Sequence, residues 1–172
     1  MCRDSKIRTA CWWESFRQML DTNVTSVVRM TNALLPLLEQ SNGGLMLVAS
    51  LAGVLPVPFQ TAYFATKAFL VHFGCGLFHE YQGRSVSITT YTPGGVVSEM
   101  TDGERFTPLR RWLMPTDFAA REGISALRRR RYLYVPGATN RMASAFVRML
   151  PRQFATSMLG DQYRKALSRK YR

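Results

Sequence analysis

The sequence has little cysteine, no long apolar run and few acidic residues in its C-terminal part. Its three cysteines are an odd number without metal-ligand spacing, which favours a reducing compartment and predicts neither a disulfide framework nor a metal site. Polar residues interrupt every apolar stretch well before the roughly 18 residues that a membrane-spanning helix needs. The charged first residues lack a following apolar segment, so they do not resemble a secretory signal. These absences favour a cytoplasmic protein, either free or peripheral to a membrane.

The net charge of +12 is unevenly distributed. Residues 1–104 carry a balance of −1, whereas residues 105–172 carry +13. Such a charge suits either a solvated arginine-rich surface or contact with a polyanion or a membrane. A nucleic-acid binder would show strongly salt-dependent binding to any duplex. We do not expect that partner, because no recognisable binding module or aromatic platform accompanies the charge.

Helical and strand patterns alternate along the chain. Apolar periodicity predicts helices at about 11–39, 61–81 and 116–128, with a loss of regularity near Pro36 and with Thr116 as an N-cap. Apolar or β-branched runs predict strands at about 45–50, 85–92 and 132–135. This alternation indicates an α/β fold with a doubly wound parallel sheet. We divide the chain into a partial Rossmann-type catalytic domain, residues 1–137, and a basic amphipathic helical extension, residues 138–172.

Polar residues follow the first two predicted strands, at the sheet edge where ligands bind in such folds. Ser50 ends the first strand, and Pro93 and Gly94 follow the second. Tyr63 and Lys67 begin the helix between them and, four residues apart, share one helical face. A nearby ammonium would lower the pKa of the phenol from about 10, so the pair could exchange a proton with a carbonyl or alcohol. Ser50 could donate a hydrogen bond to the same oxygen.

Each of these residues also has a plain structural interpretation. Ser50 could cap the following loop, and Tyr63 could be a half-buried aromatic side chain. The dipeptide at 93–94 could be an ordinary turn, and Asn23 could be a polar residue facing the next helix. The chemical interpretation therefore depends on finding these residues together.

Four segments together resemble the short-chain dehydrogenase/reductase family, in the family's order and at about its spacing. They are DTNV at 21–24, VASLAG at 48–53, YFATKA at 63–68 and PGGVVS at 93–98. The resemblance covers roughly residues 12–137. It implies an NAD(P)-dependent oxidoreductase that interconverts a carbonyl and an alcohol by hydride transfer.

The resemblance gives catalytic roles to four matching residues. Tyr63 would be the general acid/base, and Ser50 would orient the substrate oxygen. Lys67 would lower the pKa of Tyr63 and hydrogen-bond the nicotinamide ribose. Asn23 would hold a water that relays protons between Lys67 and solvent.

The resemblance also implies which residues bind NAD(P)H, without choosing between NAD and NADP. Tyr63 and Lys67 would contact the nicotinamide half together with the loop that contains Pro93 and Gly94. The backbone of Val96 would meet the carboxamide. In the same loop, Ser98 stands where the family usually has threonine, a change that keeps the hydroxyl.

Two family features are missing from the sequence. One is the N-terminal strand, glycine-rich turn and helix that receive the pyrophosphate, and the other is an Asn-rich turn after the fourth strand. At about 30 residues per βαβ unit, roughly 60–90 residues would be absent. We therefore predict weak dinucleotide binding and an open, aggregation-prone edge at the strand 45–50. The alternative function is a catalytically silent fragment that serves as an interaction or membrane-surface module.

The substrate class and partners follow from apolar residues outside the motifs. Leu55, Val57, Phe59 and the apolar residues of the C-terminal extension predict a hydrophobic carbonyl or alcohol substrate. In residues 138–172, apolar and basic residues alternate around helical turns with a break at Pro151, as in interfacial helices. That region could contact a membrane surface or pack its apolar face on the domain. A homo-oligomer is a further expectation.

Overall fold

The computed structural model describes residues 5–54, 60–101, 113–151, 153–158 and 160–161, with the side chains of residues 12 onward except Met100. Helices and strands alternate through these residues, and residues 153–158 and 160–161 are helical as well. The helices are α1 (Ser5–Leu20), α2 (Ser26–Gln40), α3 (Thr61–Glu80), α4 (Thr116–Arg128) and α5 (Ala138–Met149). The strands are β1 (Gly44–Val48), β2 (Ser87–Tyr91) and β3 (Leu133–Tyr134).

The predicted long helix at 11–39 consists of α1 and α2, joined by a π-helical turn. This turn spans Asp21–Thr25, and the backbone N–H of Ser26 bonds the carbonyl oxygen of Asp21, five residues back. Such a turn carries one more residue than an α-helical turn, and it shifts the helical face of everything that follows. The predicted loss of regularity near Pro36 is wrong, because α2 passes through Pro36 and continues to Gln40.

The strands form a parallel sheet in the order β1-β2-β3. In the register between β1 and β2, Leu45 lies opposite Ile88 and Val48 lies opposite Tyr91. Four of the five residues of β2 are buried, as expected for a strand between two neighbours with helices on both faces. The arrangement agrees with the predicted α/β architecture.

Helices cover both faces of the sheet. On one face, α2 and α3 pack against the strands through an apolar cluster, and each fully buried leucine in it stabilises the fold by about 1.5–3 kcal/mol. That cluster contains Leu35, Leu47, Leu77, Val86 and Ile88. On the other face, Gly123 brings α4 close to the ring of Tyr91 and the sulfur of Met46.

Several boundaries differ from those predicted. Thr116 is the first residue of α4, and Pro115 takes the N-cap position. The hydroxyl of Thr116 instead donates to the carbonyl oxygen of Val97. Strands β2 and β3 are shorter than predicted, because their pairing covers only Ser87–Tyr91 and Leu133–Tyr134. Residues 55, 57 and 59, which contributed to the prediction of a hydrophobic substrate, lie outside the described part of the chain.

The C-terminal extension begins directly after β3. Gly137 precedes α5 with a φ of +76°, a left-handed conformation that glycine adopts without strain. A domain boundary at residue 137 stays a prediction. Within the described residues, no helix is both long enough and apolar enough to cross a bilayer.

Candidate active site

The carboxyl ends of β1 and β2 lie side by side and carry the predicted site. The backbone N–H of Ala49 bonds the carbonyl oxygen of Tyr91 at 2.8 Å, and that of Leu51 bonds the carbonyl oxygen of Pro93 at 2.9 Å. These bonds extend the parallel ladder beyond β1. They place Ser50 next to Pro93, whose carbonyl oxygen accepts from the Ser50 hydroxyl at 3.5 Å.

Ser50 also serves as the N-cap of a short 3₁₀ turn, Leu51–Gly53. Its hydroxyl oxygen accepts a 3.1 Å hydrogen bond from the backbone N–H of Ala52. Ser50 therefore caps this turn, and the cap orients its hydroxyl. The hydroxyl can still bond a substrate, because it has two lone pairs and a proton.

Close packing brings the 3₁₀ turn onto α3 at Lys67. A β-carbon added to Gly53 would lie 2.4 Å from the carbonyl oxygen of Lys67 and 2.9 Å from the backbone nitrogen of Ala68. Both are backbone atoms of α3 that cannot move aside locally. Glycine at position 53 therefore lets the serine segment approach the helix that carries Tyr63.

Ser50, Tyr63 and Lys67 converge at the carboxyl end of β1. The Ser50 hydroxyl is close enough to the Tyr63 phenol to act on its pKa. The Lys67 Nζ lies 5.8 Å from the centroid of the Tyr63 ring and donates a 3.4 Å hydrogen bond to the carbonyl oxygen of Val48. Two hydroxyls and an ammonium thus share one partly buried corner of the sheet edge.

Asn23 reaches α3 from the π-helical turn between α1 and α2. Its side-chain Nδ2 donates to the Thr66 hydroxyl at 3.1 Å, and that hydroxyl donates to the backbone carbonyl of Tyr63 at 2.8 Å. Asn23 is therefore linked to the helical turn that separates Tyr63 from Lys67. The described residues make no direct hydrogen bond between Asn23 and Lys67.

Burial determines the protonation of the central pair. It raises the pKa of the Tyr63 phenol, and the hydrogen bond from Ser50 opposes the rise without cancelling it. It also lowers the pKa of the Lys67 ammonium. Lys67 is not among the causes of this shift, so the lowering of the Tyr63 pKa by Lys67 stays a prediction. The ammonium lies over the ring and bonds the Val48 carbonyl oxygen.

The loop after β2 is held in place by the segment that precedes α4. The Met114 backbone N–H bonds the carbonyl oxygen of Gly95 at 2.9 Å, and the Val97 N–H bonds the carbonyl oxygen of Met114 at 3.0 Å. This single parallel bridge turns the amide groups of Val96 away from Met114. The Val96 carbonyl oxygen accepts from the Thr101 hydroxyl at 2.9 Å. Its N–H bonds no other described residue.

Ser98 lies at the exposed end of this loop. Its backbone N–H donates to the Thr101 hydroxyl at 2.8 Å, and the two hydroxyls lie 3.5 Å apart. Thr101 therefore organises the loop end by bonding both Val96 and Ser98. Sequence reasoning missed Thr101, because a lone threonine after a loop carries no distinctive signal.

Asn140 is a second residue that sequence reasoning missed. It lies in the first turn of α5, and a β-carbon added to Gly94 would be 3.0–3.2 Å from the atoms of its amide group. The amide donates to the carbonyl oxygen of Pro136 at 3.2 Å and to the sulfur of Met114 at 3.4 Å. Asn140 thus connects the C-terminal extension to the loop after β2. No sequence pattern predicts a contact between positions as far apart as 94 and 140.

The donors at the sheet edge fit the nicotinamide half of a dinucleotide. The Lys67 ammonium and the Tyr63 hydroxyl suit ribose hydroxyls, and the Val96 N–H suits a carboxamide oxygen. Among the described residues, no acceptor bonds the Val96 N–H. In the described part of the chain, no strand leads through a glycine-rich turn into a helix, so the pyrophosphate half has no matching residues there.

Comparison with known proteins assigns the family. The model for short chain dehydrogenases matches residues 4–107, which is more than half of the sequence. The chain belongs to the short-chain dehydrogenase family. The predicted family and the predicted α/β fold are therefore confirmed.

Individual relatives match only part of their own length. A very-long-chain 3-oxoacyl-CoA reductase of Anas platyrhynchos is 36% identical over 85 residues, which are 49% of this chain and 27% of that protein. An uncharacterized oxidoreductase of Myxococcus xanthus is 40% identical over 95 residues, 55% of this chain and 38% of the relative. The matched stretch thus spans well under half of the length of either relative.

A solved structure supports the fold at lower sequence identity. A short-chain dehydrogenase from Burkholderia cenocepacia, in complex with NADP, is similar with a TM-score of 0.72 at 20% identity. The similarity covers 85% of this chain and 61% of that structure. At this identity the comparison establishes the Rossmann-type architecture alone.

Proposed function

We propose that this chain supplies the proton-transfer part of an oxidoreductase site that interconverts a carbonyl and an alcohol with NAD(P)(H). Tyr63 is the general acid/base in this proposal. The observation that carries it is the convergence of Ser50, Tyr63 and Lys67, in which the Ser50 hydroxyl acts on the pKa of the Tyr63 phenol and the ammonium lies 5.8 Å from the phenol ring centroid. Family membership supplies independent support.

The hydroxyls of Ser50 and Tyr63 would bind the same substrate oxygen. Two donors at a carbonyl oxygen stabilise the negative charge that develops as the carbonyl carbon is attacked. A bound nicotinamide would supply the hydride in reduction and accept it in oxidation. The neutral phenol of Tyr63 gives its proton to the oxygen in reduction. Its raised pKa keeps it protonated at neutral pH, which suits the reductive direction.

Lys67 and Asn23 would restore the proton of Tyr63. Lys67 has three donor hydrogens and a pKa lowered by burial, so it releases a proton more readily than an exposed lysine. Asn23 contacts the same turn of α3 through the hydroxyl of Thr66. In this proposal the Asn23 carbonyl oxygen binds a water that connects the ammonium to solvent. The site could then return to its starting state after each turnover.

The substrate is proposed to be a hydrophobic carbonyl compound. The relatives include proteins named very-long-chain 3-oxoacyl-CoA reductases, so a 3-oxoacyl thioester is a suitable test substrate. The cofactor is proposed to be NADPH or NADH, held by Lys67, Tyr63 and the loop from Pro93 to Ser98. Cytoplasmic location and homo-oligomer formation stay predictions.

A second candidate is a non-catalytic interaction module. It is favoured by the absence, among the described residues, of a strand, glycine-rich turn and helix for the pyrophosphate. That half provides much of the binding energy for dinucleotides in folds of this type. The two candidates differ in whether this chain binds a nicotinamide dinucleotide at all.

Calorimetric titration of the 172-residue chain with NADPH and NADH distinguishes the two candidates. Weak but saturable binding that Lys67→Ala abolishes is the result expected of the catalytic candidate, because the ammonium is the charged donor of the site. Arg128→Ala is the matched control, because it also removes one positive charge, from an exposed residue at the end of α4 outside the candidate site. It should leave binding unchanged.

Turnover then separates binding from chemistry. Tyr63→Phe keeps the ring but removes the proton donor, so we expect reduction of a 3-oxoacyl thioester to fall by roughly a hundred- to ten-thousandfold. Cofactor affinity should change little. Absence of binding up to millimolar cofactor would overturn the catalytic proposal for this chain and support the interaction module.

A further inference from the structure

Helix α5 exposes apolar side chains on the surface that faces away from the domain. Met142, Phe146 and Met149 follow the spacing i, i+4 and i+7, so they share one helical face. They are 73%, 63% and 84% exposed, respectively. Ala138 and Ala145 extend the same face, which carries no charged residue. We call Met142, Phe146 and Met149 the α5 stripe.

The opposite face of α5 is the one that packs on the protein. This face carries Asn140, Ser144 and Val147, each two residues before a member of the α5 stripe. All three side chains are partly buried. Only one of the three is apolar. Surface helices of globular proteins normally bury their apolar face and expose their polar one. In α5 this order is reversed, which indicates that something apolar covers the stripe.

Positive charge borders the stripe. Arg141 and Arg148, seven residues apart, lie along one flank of α5. Both arginines are exposed, and the Arg141 guanidinium donates to the carbonyl oxygen of Val135 at 3.2 Å and lies 3.9 Å from the Glu122 carboxylate. The region from residue 105 to 172 carries a charge of +13. A second copy of this chain would bring like charges together, and this argues against a homomeric contact as the cover.

We propose that the α5 stripe inserts into the surface of an anionic lipid bilayer. An apolar face with arginine side chains along one flank matches a bilayer surface, because the apolar side chains suit the acyl boundary and the arginines suit the anionic headgroups. Flexible methionines and a phenylalanine suit a surface of variable packing. The proposal is independent of the catalytic function, because it needs neither cofactor nor turnover.

The position of α5 gives this contact a consequence for the candidate active site. Asn140, in the first turn of α5, packs against Gly94 at the carboxyl edge of the sheet. A bilayer that holds α5 would therefore lie close to the site proposed for hydrophobic carbonyl compounds. Only this consequence rests on the proposed function.

Vesicle co-sedimentation of the full chain tests the proposal. We expect the chain to bind vesicles of phosphatidylcholine that contain roughly a third phosphatidylserine, and to bind pure phosphatidylcholine vesicles only weakly. Salt should weaken the binding to the vesicles that contain phosphatidylserine. The variant Met142→Gln/Phe146→Gln/Met149→Gln should lower the partition coefficient by roughly tenfold or more. Its helix content should not change, because glutamine is a good helix former and all three sites are exposed.

A matched control replaces three exposed apolar residues on another helix. Met30, Leu34 and Leu37 of α2 are 60%, 38% and 60% exposed, and their triple glutamine variant should bind vesicles as the wild type does. Equal loss in both triple variants would overturn the proposal, as would an unchanged partition coefficient in the α5 variant. A change from dimer to monomer in the α5 variant, without vesicle binding by the wild type, would instead identify a second copy as the cover.

Discussion

Tyr91 carries a buried hydroxyl whose proton is required by the fold. It ends β2 and donates a 2.6 Å hydrogen bond to the carbonyl oxygen of Ala119 in α4. Burial raises the pKa of Tyr91 to about 12, and the carboxylate of Glu122 and the phenol of Tyr134 add to the rise. A phenolate could not donate this bond, so the folded chain keeps a proton that the unfolded chain releases near pH 10.

The raised pKa predicts a loss of stability at alkaline pH. The unfolded chain binds fewer protons than the folded one between pH 10 and 12, so the free energy of unfolding falls as pH rises through this window and is unaffected below it. Solvent screening reduces the effect of Tyr91 to about 1–2 kcal/mol, below the roughly 2.7 kcal/mol of two full pKa units. Tyr91→Phe should remove that part of the fall.

The same substitution has the opposite effect at neutral pH. The carbonyl oxygen of Ala119 loses its donor, so Tyr91→Phe should lower the free energy of unfolding by about 1 kcal/mol. Urea unfolding of both proteins at a series of pH values measures both effects. Equal alkaline losses in the two proteins would show that Tyr91 does not retain its proton.

At the scale of single residues, the sequence was enough to predict which side chains meet in the candidate site, but not the direction of the Tyr63 pKa shift. The spacing of Tyr63 and Lys67 and the position of Ser50 after a strand could be recognised directly, because helical and strand periodicity determine which residues share a face or an edge. The direction of the Tyr63 pKa depends on burial and on where the Lys67 ammonium points. Neither is contained in sequence spacing.

Helix α3 and the 3₁₀ turn Leu51–Gly53 touch through backbone atoms, and this contact allows a test at the scale of elements. Gly53→Ala would place a methyl group 2.4 Å from the carbonyl oxygen of Lys67, so the turn must move away from α3. We expect a loss of about 1–3 kcal/mol in the free energy of unfolding, as for other overpacked sites. Thermal or urea unfolding measures the change.

Gly76, in α3, provides the control. A β-carbon added there meets no atom within 4 Å, and the residue is exposed. Gly76→Ala should therefore raise stability by about 0.5–1 kcal/mol, because alanine loses less backbone entropy in a helix. If both substitutions change stability by the same amount and in the same direction, the close approach of the turn to α3 is not what constrains position 53.

Regular elements were easier to predict from sequence than irregular ones. The bounds of α4 followed from a clear apolar period, and they agree with the prediction of 116–128. The π-helical turn that carries Asn23 was not predicted, because one inserted residue leaves the apolar pattern on both sides intact. The contact of Asn140 with Gly94 was also missed. It depends on how β3 leads into α5, which no local pattern determines.

At the scale of the whole molecule, the sheet is open, and the described residues leave the outer edge of β1 unpaired with any strand. The N–H groups of Ala49 and Leu51 point toward β2 and its extension, where they bond Tyr91 and Pro93. Because amide groups alternate along a strand, those of Val48 point to the opposite edge. There the Val48 carbonyl oxygen accepts from Lys67, while its N–H meets no partner among the described residues. Val48 is also 50% exposed, unusual for an apolar strand of this type.

This edge predicts self-association through β1, in line with the aggregation expected from the sequence. Val48→Pro should weaken it, because proline removes an N–H that points outward and leaves the bonds to β2 intact. Leu47→Pro, one residue earlier, removes an N–H that points toward β2 and should unfold the sheet.

Sedimentation velocity over a range of concentrations measures association, and circular dichroism measures folding. A wild-type chain that sediments as one monomer and melts cooperatively would contradict the prediction. So would a Val48→Pro chain that stays folded and associates as strongly as the wild type, since the contact would then lie on another surface.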